Sequence, residues 1–236
     1  MEKVYTNIEN IRNRILSVAK GKEITLVAVT KTFPVEDMEK ALKCNITDIA
    51  ESKIQEALPK LDVLCKKNLL ANVNKHFIGH LQSNKAKKAV LNFDLIQSLD
   101  SVELAKHINR HAKDINKVQK CLIELKVSQE TTKSGVSIQQ LEEIYDYCLN
   151  NCPNILICGI MTIAPFFDDK EQVRPYFKLA RKVYSDIKQK TNNKNFKILS
   201  MGMSDDFEIA IQEGSNMVRI GSAIFGERNY DKQKVL

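Results

Sequence analysis

The sequence lacks the features that mark several common classes of protein. It has no tryptophan, eight glycines and five prolines in 236 residues, and no Pro/Gly/Ser-rich linker. No apolar run is long enough to cross a bilayer, and the N-terminal stretch MEKVYTNIENIRNRILSV has early acidic residues and helical periodicity, unlike a signal peptide. The sequence therefore predicts a single domain over residues 1–236 of a cytoplasmic protein that does not bind membranes.

Signatures of metal and nucleic-acid binding are also scarce. The six cysteines form no C-x-x-C pair, although Cys148 and Cys152 lie one helical turn apart. His107 and His111 have i, i+4 spacing but lack the glutamate of a zinc-protease motif, so we predict no metal site. The net charge is +7, yet the lysines are scattered without interleaved aromatic residues, which indicates a solvated surface rather than a nucleic-acid interface.

Eight apolar, β-branched segments alternate with amphipathic ones along the chain. The predicted strands are 24–30, 46–50, 75–81, 93–99, 120–127, 155–163, 196–202 and 216–223. The predicted helices are 35–44, 52–67, 84–91, 101–113, 137–151, 170–190 and 204–214, preceded by an N-terminal helix near 5–20. Continuous apolar strands that alternate with helices are typical of a parallel sheet covered on both faces.

This eight-fold alternation predicts an α/β fold, a single TIM-type (β/α)8 barrel with an extra N-terminal helix. We place that helix within residues 1–20, where it would cover the bottom of the barrel, and a tail at 229–236. The alternative is an open, doubly wound sheet. No G-x-G-x-x-G motif follows the first strand, which weakens the dinucleotide-binding form of that alternative.

Candidate functional residues lie where predicted strands end, because active sites of this fold lie at the carboxyl ends of the strands. In LVAVTKTFP, Lys31 directly follows the first strand. The segments SMGMSDDFEIAI and RIGSAIFGER follow or end strands seven and eight, a place where such barrels often bind phosphate. Their small and cationic candidates are Ser200, Gly202, Ser204, Arg219, Gly221 and Ser222.

A lysine across the barrel mouth from a phosphate site suggests a phosphorylated aldehyde as ligand. A neutral amine attacks the carbonyl carbon to form a Schiff base, and a nearby cation such as Arg219 favours the neutral amine. From the residues alone, the ligand is either pyridoxal phosphate (PLP) or a sugar phosphate.

The chain resembles the PLP homeostasis proteins, relatives of the N-terminal barrel of alanine racemase. The resemblance rests on the segments LVAVTKTFP, HFIGHLQSNKAK, DLIQSLDS, KSGVS, GIMTIAP and LSMGMSDDFEIAIQEGSNMVRIGSAIFGER, which cover roughly residues 20–228 in the family's order. It implies that Lys31 carries PLP as a Schiff base and that Arg219 faces the pyridine nitrogen. It also implies that the phosphate is surrounded by Ser200, Gly202, Ser204, Gly221 and Ser222.

Two segments depart from the family pattern. Ala50, Glu51, Ser52 and Lys53 stand where the family usually has Gly-Glu-Asn-Tyr, which removes the contacts that the asparagine would make. Lys75 replaces the usual aromatic residue before HFIGH, which we expect to loosen packing at the start of strand three. Neither change touches Lys31 or the predicted phosphate loops.

Three functions remain open at this point. The leading one is a monomeric PLP carrier without robust catalysis, with apo PLP-dependent enzymes as recipients. The second is an amino-acid racemase or decarboxylase, although we expect no second domain of the kind those enzymes add after strand eight. The third is a Schiff-base aldolase acting on sugar phosphates, for which Lys126 and Glu130 are weak candidates.

Overall fold

Eight parallel strands close into a barrel in the computed structural model, which describes residues 2–128 and 134–227. The strands are β1 Thr25–Val29, β2 Asp48–Glu51, β3 Asn74–Phe77, β4 Leu95–Leu99, β5 Gln119–Leu125, β6 Ile155–Thr162, β7 Ile198–Ser200 and β8 Met217–Ile220. Neighbours pair in chain order and β8 pairs with β1, which confirms the predicted TIM-type barrel. The predicted tail 229–236, Glu130 and the first residue of KSGVS lie outside the described residues.

Helices surround the barrel in the described part of the chain. They are α1 Glu2–Ala19, α2 Val35–Lys43, α3 Ile54–Lys66, α4 Ala86–Asn92, α5 Val102–Asp114, α6 Ile138–Asn151, α7 Arg174–Thr191, α8 Phe207–Gln212 and α9 Ser222–Phe225. Short 3-10 helices at Ser83–Lys85 and Lys170–Val173 precede α4 and α7. Ser101 and Ser137, at which two of the predicted helices begin, cap α5 and α6 through their side chains.

The N-terminal helix does not cover the barrel bottom, contrary to our expectation. It packs along the side of the barrel against α2, α8 and α9 and buries Val4, Ile8 and Ile11 there. Asn7 Nδ2 donates to the Ile224 carbonyl oxygen at 2.8 Å, which ties α1 to the segment after β8. Since α9 has only four residues, α1 occupies the flank that a full eighth helix would cover.

Two predicted strand ends were wrong. Strand three was predicted to reach residue 81, but β3 ends at Phe77. Gly79 then packs against the Ser52 backbone so closely that a Cβ would lie 2.1 Å from the carbonyl oxygen, and the chain turns there instead of extending. Strand eight was predicted to reach residue 223, but β8 ends at Ile220 and Ser222 begins α9.

The apolar core has two parts. The larger one fills the space between strands and helices, and the smaller one lies inside the barrel. The members of the inner part are Val27, Val29, Ala50, Leu95, Leu122, Cys158, Met161 and Met217. All six cysteines are free thiols, and no helix among the described residues is long and apolar enough to cross a membrane.

Candidate functional site

A cavity of about 550 Å³ opens at the carboxyl ends of the strands; we call it the mouth cavity. It is lined by Val29, Lys31, Ile78, Ile163, Met203, Ser204, Asp205, Arg219, Gly221, Ser222 and Glu227. Five of the seven predicted site residues are in this lining: Lys31, Ser204, Arg219, Gly221 and Ser222. The structure thus brings the lysine after β1 and the arginine of β8 to one cavity.

The two remaining predicted residues, Ser200 and Gly202, are not among the residues that line the mouth cavity. Ser200 is fully buried, and its hydroxyl donates to Gln97 Oε1 and accepts from Arg219 Nη1, both at 2.7 Å. Gly202 has a φ of +97°, and an added Cβ would lie 2.6 Å from the Ala210 Cβ on α8. In this structure Ser200 therefore supports Arg219, and Gly202 allows close packing against α8.

Lys31 lies in a tight turn that joins β1 to α2. The next residue, Thr32, has a φ of +69°, a left-handed conformation that is unfavourable for a β-branched side chain. Thr30, on the other side of Lys31, is fully buried, and its hydroxyl donates to Glu51 Oε1 at 2.8 Å. The surrounding structure therefore has to hold this turn in a conformation that the sequence alone disfavours.

Three charged side chains support the Lys31 turn from behind; we call Lys60, Glu51 and Glu56 the Lys60 cluster. Lys60 Nζ donates to the Thr30 carbonyl oxygen at 3.0 Å, to Glu51 Oε1 at 2.9 Å and to Glu56 Oε1 at 2.6 Å. Glu56 Oε1 also accepts from the Thr32 backbone N–H. The cluster therefore contacts the residues on both sides of Lys31.

Glu51 is the most deeply buried member of the Lys60 cluster, with 1% of its surface exposed. Burial raises the pKa of Glu51, although the charge and hydrogen bond of Lys60 oppose that shift. A cation at position 60 is therefore needed to keep the ionised form of this carboxyl group in place.

Arg219 is buried below the mouth cavity with only 3% of its surface exposed. Its Nη1 donates to Ser200 Oγ at 2.7 Å and its Nη2 to the Thr162 carbonyl oxygen at 2.8 Å. Burial lowers the pKa of the Arg219 guanidinium to about 10, and the negative charges of Glu124 and Asp206 oppose the shift. Arg219 is therefore still a cation near pH 7, and it donates hydrogen bonds without accepting protons.

Glu124 on β5 is a second buried charged group near Arg219. Burial raises the pKa of Glu124 to about 7, with a further increase from Asp100 and a decrease from Arg219 and His80. Asp100 follows β4, and its Oδ2 lies 3.1 Å from His80 Nδ1, within hydrogen-bond distance. The region around Arg219 thus contains a carboxyl group that can hold or release a proton near neutral pH.

The structure shows what surrounds Ser52 and Lys75, which lie in the two segments that depart from the family pattern. Ser52 is not in the lining of the mouth cavity; it lines a separate cavity of about 190 Å³ together with His80 and Lys85. Lys75 pairs with Asp94, whose Oδ2 lies 2.8 Å from Lys75 Nζ and also accepts from the Lys75 backbone N–H. The start of β3 is therefore tied to the residue before β4.

Several residues of the site were missed in the sequence. Lys60, Glu56 and Glu124 lie in segments whose local pattern shows only an amphipathic helix or an apolar strand. Gln97 did carry a signal, since it is a large polar side chain in the mostly apolar strand β4, whereas β3 around His76 is itself polar and gave none. A polar residue that alternates with apolar ones on a strand buried on both faces points into the barrel.

Comparison with known proteins places the chain among PLP-associated barrels. Residues 1–229 match the sequence model of the family described as alanine racemase, N-terminal domain. A protein of Aquifex aeolicus named pyridoxal phosphate homeostasis protein is 39% identical over 97% of this chain and 98% of its own length. The protein of the same name from Escherichia coli K12 is 32% identical over 99% of this chain and 100% of its own length.

Solved structures give the same result for the fold. PipY of Synechococcus elongatus, solved with PLP bound, has a TM-score of 0.80 and 30% identity, covering 91% of this chain and 99% of PipY. An alanine racemase of Clostridium difficile has a TM-score of 0.70 at 18% identity, covering 98% of this chain but 58% of the racemase, and shows the shared barrel alone. The chain therefore belongs to the family of the alanine racemase N-terminal domain, within the group of the pyridoxal phosphate homeostasis proteins.

Proposed function

We propose that this chain binds PLP through a Schiff base on Lys31 and takes part in PLP homeostasis, as a carrier without robust catalysis. The observation that carries the proposal is that Lys31 and Arg219 line one cavity. That cavity, at about 550 Å³, falls in the range of roughly 300–1,000 Å³ that is usual for sites of small ligands.

The residues present fit the three functional groups of PLP. The Lys31 amine is the nucleophile for the aldehyde, and the Arg219 guanidinium is the hydrogen-bond donor for the ring nitrogen. Ser204, Gly221 and Ser222 lie together on the mouth cavity because Ser204 Oγ accepts from the Ala223 backbone N–H at 3.2 Å. We assign the phosphate to this side of the cavity.

The proposed absence of robust catalysis rests on Arg219. When bound, PLP supplies an electron sink whose strength depends on a proton at its ring nitrogen. Arg219 donates to that nitrogen and remains a cation near pH 7, so it disfavours ring protonation. Chemistry that needs a strong electron sink, such as transamination, is disfavoured as a result.

The proposed carrier role rests on access to Lys31 and on the relatives. Lys31 is partly exposed on the mouth cavity, so an incoming amine can reach its Schiff base. The curated relatives from A. aeolicus and E. coli are named for PLP homeostasis. We therefore propose apo PLP-dependent enzymes as recipients.

Cofactor transfer tests the carrier role. Protein loaded with PLP and freed of excess cofactor is mixed with an apo-aminotransferase, and recovery of aminotransferase activity is followed over time. Loaded wild-type protein should restore the activity, and Lys31→Ala treated in the same way should not.

Chiral analysis of L-alanine incubated with the loaded protein tests the racemase alternative. The proposal predicts no racemisation above the level given by free PLP. Fast racemisation without cofactor transfer would favour the enzyme over the carrier.

A further inference from the structure

Five polar side chains form a continuous hydrogen-bonded chain through the interior of the barrel; we call it the lumen chain. Its members are Asp48, His76, Gln97, Ser200 and Arg219. All five are buried, with at most 7% of any residue exposed. Because unpaired polar groups in such a place cost free energy, their mutual hydrogen bonds decide how each is oriented.

The first link, between Asp48 and His76, sets the direction of the chain. Burial favours the neutral acid, but hydrogen bonds from His76 and Thr47 outweigh it and lower the pKa of Asp48. Asp48 is therefore a carboxylate, which only accepts hydrogen bonds. His76 Nε2 lies 3.0 Å from Asp48 Oδ1, so the proton is on Nε2.

The remaining links follow from this one. In the neutral imidazole, Nδ1 is then an acceptor, and Gln97 Nε2 donates to it at 2.8 Å. This orients the amide so that Gln97 Oε1 faces Ser200, whose hydroxyl donates to it at 2.7 Å. With its proton used in this way, Ser200 Oγ presents a lone pair to the Arg219 guanidinium.

We propose that His76, Gln97 and Ser200 are positioning residues, which act through one another to fix Arg219 as a donor toward the mouth cavity. This inference rests on the proposed function, in which PLP occupies that cavity. The lumen chain and the Thr162 carbonyl oxygen hold Nη1 and Nη2. The guanidinium plane is thereby fixed, and Arg219, which also lines the mouth cavity, would donate a remaining N–H to the ring nitrogen of PLP.

The positioning role depends on which atom donates and which accepts in each hydrogen bond of the lumen chain, as well as on the contacts themselves. A second proton on His76 would set Nδ1–H against the Gln97 amide N–H and force the amide to turn over. Ser200 would then accept from both Gln97 and Arg219, and its own proton would lose its acceptor. The orientation of Arg219 thus depends on groups that do not touch the ligand.

Matched serine variants test the inference. Ser200→Ala breaks the link to Arg219. Ser98→Ala is the control, because Ser98 is also a fully buried strand serine, but its hydroxyl has no hydrogen-bond partner among the described residues. Gln97→Leu breaks the chain one residue farther from Arg219, and Ser200→Ala decides the outcome alone if Gln97→Leu does not fold.

Two properties are measured. One is the rate at which PLP is released on dilution, and the other is the pH dependence of the near-visible absorption band that a Schiff base between PLP and a lysine gives. Ser200→Ala and Gln97→Leu should release PLP about tenfold faster than wild type, the scale expected for one lost hydrogen bond to a charged group. Both should shift the pH profile in the same direction, whereas Ser98→Ala should match wild type. If Ser200→Ala and Gln97→Leu behave like Ser98→Ala, the positioning role is wrong.

A measurement without PLP separates this inference from the proposed function. In nitrogen-15 NMR of the ligand-free protein near pH 7, with the His76 signals assigned by their loss in His76→Asn, Nε2 should carry the proton and Nδ1 should be a bare acceptor. A proton on Nδ1 would overturn the lumen chain even if PLP binds. Wild-type protein that takes up no PLP but shows the expected tautomer would overturn the proposed function and leave the lumen chain intact.

Discussion

Lys31 and Arg219 lie on the same cavity, but the protein holds them in different ways. The Lys31 turn is supported from behind by the Lys60 cluster, which consists of charged groups. Arg219 is held from inside the barrel by the lumen chain, in which the groups nearest to it, Ser200 and Gln97, are neutral.

This difference predicts that the two sets of residues affect different properties, the stability of the fold and the orientation of Arg219. Removing one partner of a buried charged pair leaves an uncompensated charge and costs about 3–5 kcal/mol, whereas losing one hydrogen bond between a neutral and a charged group costs about 1.5–3 kcal/mol. We therefore expect changes in the Lys60 cluster to affect folding strongly. Changes in the lumen chain should affect mainly how Arg219 is presented to a ligand.

The largest expected effect is that of Lys31→Ala. The side chain is partly exposed on the mouth cavity and is not part of the core, so the variant should fold normally by circular dichroism. When Lys31→Ala is mixed with PLP, the near-visible absorption band of a lysine Schiff base should be absent. A band of full strength in Lys31→Ala would place the Schiff base on another lysine.

Lys60→Met should have the next largest effect, this time on folding. Glu51 would be left buried without its cation, and we expect the free energy of unfolding in urea to fall by about 4 kcal/mol. The control is Lys66→Met on the same helix, since Lys66 pairs with Asp62 in solvent, with 73% and 61% of their side chains exposed. That variant should change stability by less than about 1 kcal/mol. Equal effects of the two substitutions would contradict the supporting role of the Lys60 cluster.

On the Arg219 side of the site, Glu124→Gln should change how the free energy of unfolding depends on pH. Burial raises the pKa of Glu124 from 4.5 to about 7, so between these values the folded state binds more protons than the unfolded state. The stabilisation by the neutral acid is complete below pH 4.5 and is lost as the pH rises through 7. Glutamine removes this dependence and should gain about 3 kcal/mol relative to wild type between pH 4.5 and 8.

The check is a series of urea unfolding curves for both proteins across that range of pH. The difference in unfolding free energy between Glu124→Gln and wild type should grow between pH 4.5 and about 7 and then level off. A difference that is constant with pH would mean that Glu124 titrates normally in the folded protein.

Much of the fold could be predicted because its signal is local and repeated. Alternation of apolar strands and amphipathic helices predicted the closed barrel, and the predicted starts of two helices at residues 101 and 137 coincide with the capping residues Ser101 and Ser137. The place of α1 could not be predicted, since it depends on α9 having only four residues. The short length of α9 was not predicted, because its first residues were assigned to strand eight.

The candidate site was predictable only where a residue stands at a strand end. Lys31 and Arg219 were found in this way. Lys60 was not, because it is one lysine among many on helix faces, and its burial depends on where α3 packs. The support that Ser200 gives to Arg219 was also out of reach, since it depends on Gln97, which is 103 positions away in the chain and meets Ser200 only once the barrel closes.

The most direct test of the central claim is to locate the lysine that binds PLP. Protein loaded with PLP is reduced with borohydride, which makes the linkage permanent, then digested and analysed by mass spectrometry. The account predicts one modified peptide, which contains Lys31, with Lys60 unmodified. Modification chiefly at another lysine, or a spread over many surface lysines without preference for Lys31, would contradict it.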